Sequence, residues 1–181
     1  MATADVVGAK HERAFRTLDA NGDDHVEWAD YQALVDRFTQ AYGLDTDDRR
    51  VRALRAFFQI FWLELLRHAD VAGDRLTSEQ FIQANRLAAI DTSRVNIVEG
   101  SSHAIFDCID ADGDHEITQD EFARYLRDVC RVDAPDALDS FAQLDTDGNG
   151  VISRHEFIRA SREYFHSADA GAAGSLFFGR I

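Results

Sequence analysis

With 181 residues, 45% of them hydrophobic, the chain is long enough to bury a sizeable core. It carries 33 acidic against 19 basic residues, a formal charge of −14, and so lacks the basic footprint of a general nucleic-acid binder. No run of about 18 apolar residues occurs, which leaves no expected membrane span.

The chain starts Met1-Ala2-Thr3-Ala4-Asp5, without the basic start and apolar stretch of a signal peptide. Ala2 stands where myristoylation needs glycine, so a cytoplasmic protein is the expectation. Ala14, Phe15 and Leu18 fall at helical spacing before an acidic stretch at 19–30, and Tyr31, Leu34, Val35 and Phe38 repeat that spacing after it. A long helix is predicted over roughly 46–68, with Phe57, Phe58, Phe61, Trp62, Leu65 and Leu66 as its apolar stripe. Residues 91–98 have no stripe and read as the join between two halves. Ile105, Phe106 and Ile109 then enter a second acidic stretch at 110–121, left by Phe122, Tyr125, Leu126 and Val129. Pro135, the only proline, suits the first turn of a helix carrying Leu138, Phe141 and Leu144. A third stretch at 145–156 is followed by Phe157, Ile158 and Phe165. The expected domains are a pair of helix-loop-helix units at 1–92, a second pair at 99–168, and an apolar tail at 169–181 packed on the core. Cys108 and Cys130 are too few for a disulfide framework and read as small hydrophobes on helices.

The three acidic stretches are one repeat. Of the 33 acids, 14 lie in these windows of twelve, packed densely enough to call for a counter-cation. Each has oxygen-bearing side chains at positions 1, 3, 5, 9 and 12, glycine at 4, a β-branched apolar residue at 8 and an aromatic just past 12 (Tyr31, Phe122, Phe157). Alternating oxygens, one backbone carbonyl and a terminal carboxylate suit calcium, a hard cation that takes six to eight oxygen ligands. The mid-loop bend asks for glycine at position 6, where the loops carry Asp24, His115 and Gly150. The gap between 19 and 110 is wide enough for a fourth unit. Aligning Leu76 with position 8 and Phe81 with the trailing aromatic gives a loop at 69–80, with Ala69, Val71 and Gly73 at positions 1, 3 and 5 and Gln80 at 12. No cation site follows, and this unit is read as structural.

Four such units, an overlong second helix pair and a dead second loop resemble the EF-hand superfamily, in its sarcoplasmic calcium-binding protein and calerythrin-like branch. The resemblance covers almost the whole chain. It implies an all-α fold, four EF-hand units in two pairs packed face to face as one compact domain around an aromatic core. Carried over residue by residue, it gives the first site Asp19, Asn21, Asp23, the His25 carbonyl, Glu27 and Asp30. The second site takes Asp110, Asp112, Asp114, the Glu116 carbonyl, Thr118 through water, and Glu121. The third takes Asp145, Asp147, Asn149, the Val151 carbonyl, Ser153 through water, and Glu156. Three calcium ions are thus expected, with magnesium a competitor at the first loop because Asp30 is one methylene shorter than its counterparts. The resemblance makes calcium buffering or transport by a monomer the leading role. The alternative is a sensor that exposes an apolar surface to a protein partner, whose identity the sequence does not carry.

The remaining features read as structure. His11, His68, His103 and His166 lack zinc-ligand spacing, and His25, His115 and His155 occupy loop positions that offer no side-chain ligand. Trp28 and Trp62 read as core. Calcium-triggered photoproteins also resemble this loop pattern, though they typically end in a proline that this chain lacks. No nucleophile–base–orienter set stands out, so no enzyme is expected. The tail, Gly171 to Ile181, carries Leu176, Phe177 and Phe178 behind a glycine hinge. An exposed apolar cluster is an aggregation hazard, which favours a plug between the halves over a docking motif.

Overall fold

The structure, a computed structural model, describes residues 5–91, 97–132 and 134–178. Eight α-helices and four three-residue strands follow in the order α1 (Val6–Leu18), β1 (His25–Glu27), α2 (Trp28–Tyr42), α3 (Arg49–Ala69), β2 (Arg75–Thr77), α4 (Ser78–Ile90), α5 (Ile97–Ile109), β3 (Glu116–Thr118), α6 (Gln119–Arg124), α7 (Ala134–Leu144), β4 (Val151–Ser153) and α8 (Arg154–His166). The fold is all-α. Helix α6 runs on into a π-helical turn, Tyr125–Val129, and a 3-10 turn, Ala173–Leu176, closes the described chain. Of the expected join at 91–98, residues 92–96 lie outside the described residues, as do 179–181 of the tail. Among the described residues, no helix is long and apolar enough to cross a membrane.

The strands are the loops' own third quarter. β1 pairs antiparallel with β2, Val26 facing Leu76, and β3 with β4, Ile117 facing Ile152. All four of these position-8 side chains are fully buried, so each mini-ladder pins two loops side by side on an apolar peg. The register Val26–Leu76 fixes the alignment of the degenerate loop: Arg75 sits at its position 7 and Thr77 at its position 9. Thr77 and Gln80 form a reciprocal capping box, as Thr118 with Glu121 and Ser153 with Glu156 do. The frame of a metal loop thus survives at 69–80 without its ligands.

One aromatic core runs through both halves. In the first, Tyr31 lies 5.6 Å from both Phe58 and Trp62. In the second, Phe157 meets Phe106 at 5.7 Å and Phe177 of the tail at 4.8 Å. Phe38 of α2 stacks on Tyr125 at 5.9 Å and joins the two groups. Such pairs add about 0.5–1.5 kcal/mol each beyond area burial. Cys108 and Cys130 are buried free thiols, each pushed by that burial up to about 12.

Two buried cations also cross between the halves. Lys10 of α1 is fully buried, with Nζ donating to the carbonyls of Glu163 (3.3 Å) and Ser167 (3.0 Å) at the end of α8. A helix C-terminus favours positive charge there, and Tyr164 Oη donates back to the Lys10 carbonyl at 2.5 Å. Arg37 of α2 donates to Val129 O at 2.7 Å and to Thr17 O at 2.9 Å, tying the exit from loop three (110–121, counting 69–80 as loop two and 145–156 as loop four) to the helix that enters loop one (19–30).

The tail lies against α8. Phe177 is 1% exposed, and Arg13 of α1 donates to the Phe178 carbonyl at 3.2 Å. Gly174 corrects the expected hinge. Its amide donates to Glu163 Oε2 at 2.9 Å, and a Cβ there would collide with the Ala160 carbonyl. Glycine at this position permits close packing of two backbones.

Candidate metal centre

In each acidic loop the first aspartate takes the amides of the bend onto its carboxylate. Asp19 accepts from Gly22 at 2.9 Å and from Asp24 at 3.1 Å, Asp110 from Gly113 at 2.8 Å and His115 at 3.1 Å, and Asp145 from Asn149 at 3.1 Å and Gly150 at 2.9 Å. Position 3 then accepts from the amide of position 5: Asn21 from Asp23 (3.0 Å), Asp112 from Asp114 (3.2 Å) and Asp147 from Asn149 (3.1 Å). Position 5 accepts from position 7: Asp23 from His25 (3.0 Å), Asp114 from Glu116 (2.9 Å) and Asn149 from Val151 (2.9 Å). Backbone donors thereby fix the orientation of the side chains at 1, 3 and 5. The bend is left-handed in all three loops, with φ 61° at Asp24, 72° at His115 and 90° at Gly150. Asp and His tolerate this region better than most side chains.

The last ligand position separates the loops. Glu121 spans loop three, Oε1 accepting from the Ala111 amide and Oε2 from the Thr118 amide, each at 2.8 Å. Glu156 does the same in loop four, from Thr146 at 2.8 Å and from Ser153 at 2.9 Å. In loop one Asp30 reaches the Glu27 amide at 2.9 Å, and among the described residues nothing ties it to Ala20 across the loop. Electrostatics follow the same division. Burial would raise Glu156, but donors on Ser153 and Thr146 outweigh it and hold the carboxyl at about 2. Asp30 is raised, first by burial and then by the neighbouring carboxylates of Asp19, Glu27 and Asp23, against the single amide that lowers it.

The donor set fits a hard divalent cation. Carboxylate oxygens of Asp110, Asp112 and Asp114 all lie within 4.8 Å of one another, and those of Asp145, Asp147 and Glu156 do likewise. Among the described residues no lysine or arginine is ion-paired to any of these six groups. Three like charges at that spacing repel strongly unless a cation joins them. Thr118 and Ser153 are engaged as caps, each hydroxyl donating to its glutamate at 2.7 Å. In loop one, Asp23 carries a partner that the sequence reading missed: Nη2 of Arg75, from the degenerate loop, 3.3 Å from its Oδ2. Only the strand register could have found it, because the two residues are 52 positions apart.

Comparison with known proteins bears on the family of the chain. The family model for an EF-hand domain pair matches residues 72–128, and that for a single EF hand matches 138–160. Calerythrin of Saccharopolyspora erythraea is 27% identical over 170 residues, covering 90% of this chain and 93% of that protein. The luciferin-binding protein of Renilla reniformis is 26% identical over 188 residues, covering 96% and 95%. Polcalcin Aln g 4 of Alnus glutinosa is 38% identical over 58 residues, which is 32% of this chain and 68% of polcalcin. Among solved structures, a calcium-binding protein of Streptomyces coelicolor superposes with a TM-score of 0.73 at 27% identity, covering 88% and 97%. Calcium-loaded apo-aequorin of Aequorea victoria shares the fold, with a TM-score of 0.74 at 17% identity over 92% and 93%. The chain belongs to the EF-hand family and is a calerythrin-like calcium-binding protein.

Proposed function

We propose that the chain holds three calcium ions, in loops one, three and four, with the eighteen ligand residues named from the sequence. It serves as an intracellular, monomeric calcium buffer or transporter. The two pairs, 1–92 and 99–168, supply the sites, and the tail from 169 keeps the apolar cleft shut. The observation that carries the buffer reading is Phe177, buried among Tyr125, Phe157 and Tyr164, where a sensor needs an open groove for its partner. The only methionine is Met1, so the adaptable Met-rich surface of a promiscuous sensor is missing too.

A photoprotein-like role in holding an apolar chromophore has less support. The cavity between the halves, walled by Tyr31, Phe38, Phe58, Phe61, Tyr125 and Phe177, measures about 70 Å³. An engineered apolar cavity of about 150 Å³ holds benzene, and this one has about half that volume.

Calorimetric titration of the calcium-free chain tests the site count, with three ions expected. Replacing Glu121 or Glu156 by Gln should each remove one ion and weaken that loop roughly 100-fold, equivalent to about 3 kcal/mol. A fourth tight ion, or full binding in both variants, would overturn the assignment. A dye for exposed apolar surface tests the role. Binding of dye should fall when calcium is added, whereas a rise would favour the sensor.

A further inference from the structure

Strand β2 belongs to the loop without a ligand set, yet it brings a charge to its neighbour. Arg75 stands directly opposite Glu27 in the first ladder, with its guanidinium on Asp23. Asp23 and Glu27 are positions 5 and 9 of loop one. Directly opposed residues of an antiparallel pair hold their Cβ atoms about 4.5–5.5 Å apart, so Arg75 rises from the ladder next to Glu27 and carries its guanidinium to Asp23. The second ladder provides the contrast. Val151 faces Thr118, position 9 of loop three, and Glu116 faces Ser153, position 9 of loop four. The residue across from position 9 is therefore a cation in loop one, neutral in loop three and an anion in loop four.

We propose that Arg75 is a built-in counter-cation, delivered by the ligand-free loop, that sets the affinity of loop one for divalent cations below that of the other two. This rests on reading loop one as a calcium site. Asp19, Asp23, Glu27 and Asp30 put four carboxylates around this loop, against three in loop four. With no ion bound, Arg75 relieves their mutual repulsion. Once a divalent ion arrives, the same guanidinium repels it, and the repulsion scales with the ion's charge. Arg75 and Asp23 are both partly exposed (47% and 42%), so the effect is moderate and screened by salt.

Calcium titration of the full chain, following the backbone amide signals of Gly22, Gly113 and Gly148 by NMR, reads each loop separately. Arg75→Gln should tighten loop one about three- to tenfold and leave loops three and four unchanged. The gain should shrink in about 0.5 M salt, and Arg75→Lys, which keeps the charge, should behave as wild type. Weaker or unchanged binding in Arg75→Gln would overturn the proposal, the weaker case meaning that Arg75 positions Asp23. The same holds if Arg75→Lys tightens the loop as much as Gln does. A Gly22 signal indifferent to calcium in every variant would instead refute loop one as a site, and the proposal with it.

Discussion

In loops three and four a glutamate ties both ends of the loop together, one oxygen on position 2 and the other on position 9. In loop one an aspartate holds position 9 only, and an arginine from the neighbouring loop sits on the acid at position 5. The backbone plan is nevertheless shared: position-8 residues pair at the same register in both halves. The difference separates two layers of the design: the ladder fixes where each loop stands, and the last acidic position and the residue opposite position 9 are where the loops differ. A loop without a ligand set still touches its partner, because the ladder keeps its side chains in place.

The halves also close their cores by different means, and this gives the largest expected effect. The first half is closed by α3, through Phe58 and Trp62. The second is closed by the tail, with Phe177 against Phe157, the residue directly after the loop-four ligand Glu156. Phe177→Ala should cost about 3–5 kcal/mol in denaturant unfolding and raise dye binding even with calcium present. Loop four should lose more calcium affinity than loop one. A cost below about 1 kcal/mol would mean that the tail merely rests on the surface.

Acid should separate the halves in turn. His11 of α1 faces Phe165 of α8 and is 1% exposed, and its pKa is lowered to about 4, first by burial and next by Arg86. Because the folded value lies below the unfolded one of about 6.5, the unfolded chain binds the extra proton between them. Stability of the calcium-free protein should therefore be constant in this respect above pH 6.5. It should fall by up to about 3 kcal/mol as pH drops towards 4. Glu156, held at about 2, contributes stability that is lost only between its unfolded value near 4.5 and 2. Asp30, raised in the fold, works in the opposite sense and blunts the loss in the carboxylate range. Unfolding curves of wild type and His11→Gln across this range are the check, and a variant that keeps the slope between 6.5 and 4 would exonerate His11.

Much of this was legible in the sequence because the loops impose a fixed spacing of chemically specific residues. Leu76 and Phe81 placed even the ligand-free unit in register, since a buried position-8 residue and a trailing aromatic persist when ligands are lost. The long third helix, expected over roughly 46–68, runs from Arg49 to Ala69. Lys10 and Arg37 were not legible. Helical periodicity treats a lone cation as solvent-facing, and only the tertiary fold brings helix-end carbonyls to meet them. Arg75 was hidden for a related reason, because its partner depends on which strand lies alongside. The glycine at 174 looked like a hinge because sequence does not distinguish a residue chosen for freedom from one chosen for lack of bulk.

The smallest effect returns to the last ligand of loop one. Asp30 is one methylene short of the reach that Glu121 and Glu156 use to cross their loops. A single oxygen on the ion suits magnesium, which accepts six ligands at about 2.0–2.1 Å, better than calcium, which takes up to eight. In the wild-type chain magnesium should therefore depress calcium binding at loop one more than at loop four. Asp30→Glu supplies the missing reach, and calcium binding at loop one should tighten about tenfold, equivalent to about 1.4 kcal/mol. The magnesium difference between the loops should vanish at the same time. Asp30 is buried, so part of the gain is offset by fitting one more methylene beside Tyr31. Competition titrations read at Gly22 and Gly148 decide the matter. Equal magnesium depression at both loops in the wild type would show that Glu27 already completes the shell and that the length of residue 30 is immaterial.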